Sequence, residues 1–157
     1  MKQTPAYDHI QQQMRPGVIT LDGFLGTDER NLIDIISEDD GTVRQHGLTH
    51  EAIASRMSEF RDKGLAGLNE FISVDADFDV RVDSLRGKLP SPFGGPGMYG
   101  KVNTTVVNKR LNKQITYTDL HIHFIKDHGF YEGKGSPFRL EPAQLIVILA
   151  IEPMEQP

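Results

Sequence analysis

The sequence predicts an α+β domain: a mainly antiparallel sheet packed by two N-terminal helices and a third helix near residues 119–128. Three observations carry this. Strand-like runs come in adjoining pairs, residues 71–74 with 78–82 and 102–107 with 114–117, which is hairpin spacing. Stretches of helical apolar periodicity with capping residues lie before and after them. The regular strand–helix–strand alternation that builds a parallel sheet is missing.

Taken in order, residues 1–16 are polar and end in Arg15-Pro16-Gly17, so they read as a flexible arm ahead of a domain over 17–152. Val18 to Leu21 is a short β-prone run. Thr27 is a candidate N-cap, with Asp28 and Glu29 where the helix dipole favours negative charge. Leu32, Ile35, Ile36 and Val43 then repeat at helical spacing, and Gly41 predicts a bend or stop. Thr49 caps a second helix whose apolar face holds Ile53, Met57 and Phe60. The stretch Arg86 to Lys101, RGKLPSPFGGPGMYGK, is so rich in Gly and Pro that it reads as one long loop. In TDLHIHFIKDHG, Thr118 as N-cap and Gly129 as terminator favour a helix, although Leu120, Ile122 and Phe124 also alternate like a strand. Phe138 to Leu140 reads as a short strand. For 142–151, Pro142 suits a helix start and Ile146-Val147-Ile148 a buried strand, so both remain open. Residues 153–157 read as a tail.

A chain of 157 residues has the size of one domain. The absence of cysteine excludes disulfides, thiolate metal sites and cysteine nucleophiles. The N-terminal stretch has no apolar core of a secretory signal, and the longest apolar run, Leu145 to Ile151, is far below the roughly 20 residues that span a bilayer as helix. The expectation is a cytoplasmic protein with no membrane association. The net charge of −5 is unevenly spread: residues 1–85 hold 8 basic and 16 acidic groups, residues 86–139 hold 9 and 3. A basic second half points to an anionic ligand, unless the two halves neutralise each other in the fold.

Two glycine-rich segments carry that expectation. His128-Gly129-Phe130-Tyr131-Glu132-Gly133-Lys134-Gly135-Ser136 is similar to a phosphate-binding P-loop, but the spacing is one residue short and Gly135 separates the lysine from the serine. The motif fails, yet glycine-freed backbone N–H groups with Lys134, Ser136, Arg139 and His128 are the right donors for a phosphate or carboxylate. In the loop 86–101, Arg86, Lys88 and Lys101 accompany Phe93 and Tyr99, a mixture of charge and stacking surface suited to a nucleotide.

The third constellation is Asp119-Leu120-His121-Ile122-His123, which resembles the His-x-His of metal-dependent amidohydrolases. Only 34 residues follow His123, too few for the barrel those enzymes need. As a helix, Asp119, His123 and Asp127 share one face and are weak candidates for a metal; no resident cofactor is expected. LTHEAIASRM resembles the first helix of a helix-turn-helix, but the glycines that follow it and the acidic first half make DNA an unfavourable partner.

Together, LDGFLGTDERNLIDII, GLTHEAIASRM, RGKLPSPF and TDLHIHFIKDHGFYEGKGSPFRLEP resemble an uncharacterised bacterial family over most of residues 17–152. The resemblance implies no activity, ligand or site. Three functional readings therefore stand. The first is a domain binding a small anionic ligand or nucleotide through loops 86–101 and 129–139. The second is a non-catalytic interaction or homo-oligomerisation module. The third is a small metal-assisted hydrolase or lyase using His121, His123 or His128.

Overall fold

The computed structural model describes residues 2–153. Its element order is α1 (Pro5–Gln13), α2 (Leu32–Gln45), α3 (His50–Gly64), β1 (Ile72–Ser73), β2 (Phe78–Pro90), β3 (Met98–Asn108), β4 (Lys113–Thr118), α4 (Asp119–His128) and α5 (Pro142–Ile148). The strands form one antiparallel sheet in sequence order. The α+β expectation, with two N-terminal helices and one at 119–128, describes this architecture.

Local chemistry explains most boundaries. Thr49 Oγ1 accepts the Ala52 N–H and starts α3. Thr118 Oγ1 accepts the His121 N–H and starts α4, and Gly129 ends it in the left-handed conformation that a side chain disfavours. The Gly129 and Phe130 N–H groups then bond back to Ile125 and Phe124, a Schellman closure. Pro142 occupies the first turn of α5, so the helix alternative holds for that segment.

The core divides around α4. Ile125 packs with Ile53, Met57 and Phe60 of α3 and with Val80 and Val106 of the sheet. Leu120 and Phe124, on another face of α4, pack with Met14, Phe24, Leu32 and Phe130. The buried Tyr117 hydroxyl donates to the Met57 carbonyl at 2.7 Å, so a polar atom inside the first cluster is satisfied.

Several expectations are corrected. Of the expected arm at 1–16, residues 2–16 are not loose: Thr4 caps α1, Gln3 and Gln11 side chains bond to the start of α2, and Met14 is fully buried. Helix α2 starts after Asn31 rather than Thr27 and runs through Gly41, because Ile35, Asp39 and Val43 are buried on one face while Gly41 meets open space. Residues 18–21 and 138–140 form turns and loop, not strands. The tail at 154–157 lies outside the described residues.

The largest correction concerns residues 86–101. They form no long loop. Strands β2 and β3 pair out to Pro90↔Met98, with a bulge between Leu85 and Lys88 that absorbs Gly87 at positive φ. Strand β1 covers only Val80 and Asp79, and β4 stops opposite Asn103. The far half of the hairpin, from Ser84 and Val102 outward, therefore leaves the four-stranded sheet as a two-stranded ribbon. Its tip returns to α4. Phe93 stacks on His128 at 3.8 Å between ring centroids, and Tyr99 stacks on His123 at 4.4 Å. The ribbon is thus held at both ends, by the sheet and by α4.

Candidate functional site

A cleft of about 310 Å³ lies between this ribbon, the turn at 20–24, the first turn of α4 and the segment 132–138. Its walls are mainly apolar, from Phe24, Leu85, Leu89, Leu120 and Phe138. Asp22, Lys101, His121 and Glu132 also line it, the last two almost entirely buried. Such a cleft, apolar with few convergent polar groups, is the usual build of a small-molecule site.

Thr118, His121, Glu132 and Ser136 form one network. The Thr118 N–H donates to His121 Nδ1 at 3.0 Å, completing the capping box. Because Nδ1 accepts, Nε2 is the nitrogen that carries hydrogen in the neutral ring, and it donates to Glu132 Oε2. Ser136 Oγ donates to the other carboxylate oxygen at 2.9 Å, and itself accepts the Phe138 N–H at 3.3 Å. Each oxygen of Glu132 has one donor here and one lone pair to spare. These bonds fix the carboxylate in orientation.

Glu132 is also held in an uncommon backbone state, φ +69°. A non-glycine residue there costs about 1–3 kcal/mol and persists only when its surroundings impose it. Here Arg139 Nη1 donates to the Glu132 carbonyl at 2.6 Å, and the Gly133 N–H donates to the Phe24 carbonyl at 2.9 Å. Arg139 is in turn clamped by both oxygens of Asp39 on α2, at 3.0 and 2.8 Å, and by Glu141. Burial opposes the Arg139 charge, but the bonds to Asp39 and Glu141 outweigh it and raise its pKa above the usual value. The same guanidinium holds the Glu141 carboxyl below its ordinary range.

These contacts correct the anion-loop expectation for 129–139. Arg139 is 6% exposed in an ion pair with Asp39, which is 5% exposed, and has no free fork for a ligand. Lys134 Nζ lies 3.4 Å from Glu38 of α2, and its N–H donates to Asp28. The glycines serve packing rather than an anion: a Cβ on Gly133 would sit 2.3 Å from the Leu25 carbonyl oxygen, and one on Gly26 2.1 Å from the Ser136 nitrogen. Loops 23–28 and 133–136 interlock backbone to backbone. The acidic half of the chain neutralises this basic loop, as linear charge blocks often do.

The other candidates fall in three places. Ser136 belongs to the cleft network. Lys101 lines the same cleft from the ribbon; Arg86 and Lys88 are exposed on the ribbon and do not line it. Among the described residues, no ion pair involves Arg86, Lys88 or Lys101. His128 sits away from them, stacked on Phe93, and its pKa is lowered by burial and by neighbouring His123. Phe93 and Tyr99 are likewise spent on histidine stacking.

The metal candidates are divided as well. Asp119 is bidentate to Arg61, at 3.2 and 3.0 Å. His123 bonds through Nδ1 to Asp127 and Tyr99 and lies 3.2 Å from Ser91 Oγ through Nε2. Among the described residues no group of three or more His, Asp or Glu side chains is placed to hold a metal ion. No helix among them is long and apolar enough to cross a membrane.

Comparison with protein-family models, curated proteins and solved structures finds no match to this chain. The site therefore rests on its own geometry. The sequence reading did not single out Glu132 or the turn at 20–24. A signal for His121 was present: it stands three residues after Thr118, the spacing of a capping box.

Proposed function

We propose that this chain is a ligand-binding domain whose cleft takes a small, partly apolar, anionic molecule of nucleotide-like build. One observation carries the reading. The fixed, buried Glu132 lines a predominantly apolar cleft that is also lined by Lys101, which has no ion-pair partner among the described residues, and by the exposed Asp22. A ligand suited to this cleft has a flat apolar body and an anionic end outward at Lys101.

Catalysis is less well supported. Both nitrogens of His121 and both oxygens of Glu132 are already engaged in bonds within the protein. The competing reading is an interaction or oligomerisation face. It draws on one observation: Leu21, Leu85 and Phe138, at 85, 60 and 55% exposure, flank the cleft.

A thermal-shift screen of nucleotides, sugar phosphates and aromatic carboxylates separates the two. At 100 times its Kd a ligand adds about 2.7 kcal/mol, which raises Tm by about 5–11 °C for a chain of this size. The shift is expected to vanish in Glu132→Gln and to shrink in Lys101→Ala. No shift with any anion, together with concentration-dependent dimerisation in sedimentation that Phe138→Glu abolishes, would favour the interaction reading.

A further inference from the structure

We propose that Ser91 is an activated nucleophile, set by His123 and Asp127, that accepts an acyl group from a small ester at the tip of the ribbon. The site is separate from the cleft, which none of the three residues lines, and does not depend on a ligand there. His123 and Asp127 stand one turn apart on α4, with His123 Nδ1 2.8 Å from Asp127 Oδ2. Ser91 follows the last residue of β2 and brings its Oγ to 3.2 Å from Nε2 of the same ring. Nucleophile, base and orienting carboxylate are thus joined in series, the arrangement that activates a serine hydroxyl.

The hydrogens run in the productive direction. An ionised Asp127 only accepts, so Nδ1 carries the hydrogen of a neutral His123, shared with the Tyr99 oxygen at 2.9 Å, and Nε2 is left to accept. Ser91 Oγ accepts the Phe93 N–H at 3.2 Å, which leaves its own hydrogen for Nε2. The Gly94 N–H closes the turn on the Ser91 carbonyl, and Tyr99 and Phe93 stack on His123 and His128, so turn and helix are held against each other. Ser91 is 7% exposed, but residues 94–98 next to it are exposed, and side chains at Gly94, Gly95 or Gly97 would meet open space. This combination suits a small acyl group and disfavours a bulky one. In the reaction Oγ bonds to the ester carbonyl carbon while its proton passes to Nε2; the bond to the leaving alcohol breaks and the alcohol takes that proton. Water attacks the acyl-serine by the same route, which releases the carboxylic acid and restores the hydroxyl. Asp127 touches only the base and is a positioning residue.

Labelling of the folded full chain with a small-alkyl fluorophosphonate, read by peptide mass spectrometry, tests this. The probe mimics the ester: Oγ bonds to phosphorus, fluoride leaves, and the adduct is stable. One adduct is expected, at Ser91, and none after unfolding in urea. Its rate is expected to fall about 10²–10⁴-fold in His123→Gln, which removes the general base. Asp127→Asn is expected to slow it by a smaller factor, because the Asp127 side chain is 51% exposed and stabilises the protonated ring less than a buried carboxylate would. That exposure also makes Asp127→Asn the variant expected to keep its fold, checked by circular dichroism, should His123→Gln unfold. With p-nitrophenyl acetate the wild type is expected to form acetyl-Ser91 and to release p-nitrophenolate faster than Ser91→Ala. If Ser91 and His123 only tether the ribbon to α4, their substitution lowers Tm and no adduct forms. Absence of an adduct at Ser91 in the folded wild type would therefore overturn the proposal, as would an adduct formed equally fast in Asp127→Asn.

Discussion

Replacing Arg139 by alanine tests the claim that this residue is a structural clamp rather than a ligand-binding cation. Its guanidinium is nearly enclosed, gives two bonds to Asp39 and one to the Glu132 carbonyl, and also reaches Glu141. Truncation leaves Asp39 buried without its partner, and breaking a buried pair from one side costs about 3–5 kcal/mol. Tm is expected to fall by about 6–20 °C, at about 2–4 °C per kcal/mol for this chain length. The assay is urea unfolding followed by circular dichroism, on Arg139→Ala, Asp39→Asn and the double variant. The double variant is expected to be less destabilised than the sum of the singles, by a coupling of about 0.5–3 kcal/mol. Unlike the cost of an exposed pair, this loss should persist in high salt, because buried charges are poorly screened. A loss below about 1 kcal/mol in Arg139→Ala, with additive singles, would refute the clamp and return Arg139 to the pool of candidate ligand groups.

Two further outcomes follow from the same contacts. Burial lowers the His128 pKa below its ordinary 6.5, with His123 adding to the effect and Asp127 opposing it. The unfolded chain therefore binds the proton first, and stability is expected to fall as pH drops through 6.5 toward the depressed folded value; unfolding free energies at pH 7 and 5 should show a smaller decline in His128→Gln. Gly133→Ala is expected to cost about 1–3 kcal/mol, because its Cβ would be driven into the Leu25 backbone, and to weaken any cleft ligand by loosening Glu132; equilibrium unfolding and a binding titration would show both.

What could be read from the sequence was whatever is decided within a few residues. Thr49, Thr118 and Gly129 end or start helices through bonds to neighbours three to six positions away, and these boundaries were legible. Thr4 followed by Pro5 was the same kind of signal, hidden by the polar composition of the N-terminus. The ribbon was illegible because composition spoke against it. Its glycine and proline residues are tolerated at a bulge and near the tip, while its pairing is made by a strand that follows the turn. Gly41 misled for a related reason: burial of Ile35 and Val43 outweighs one half-buried glycine in α2. The site was the least legible. Asp39 and Arg139 are 100 positions apart, and their pairing decides that a basic loop is neutral and that Glu132 can hold its backbone state. No spacing rule reaches across that distance.

The most direct measurement is a ¹⁵N-labelled NMR titration with whichever anion stabilises the protein most. The amide shifts are expected to concentrate at Gly23, Phe24, Gly100, Lys101, Leu120 and His121, around the walls and buried end of the cleft. Shifts centred instead on Lys134 and the α2 acids, or on the His123–His128 face of α4, would contradict the placement of the ligand beneath the ribbon.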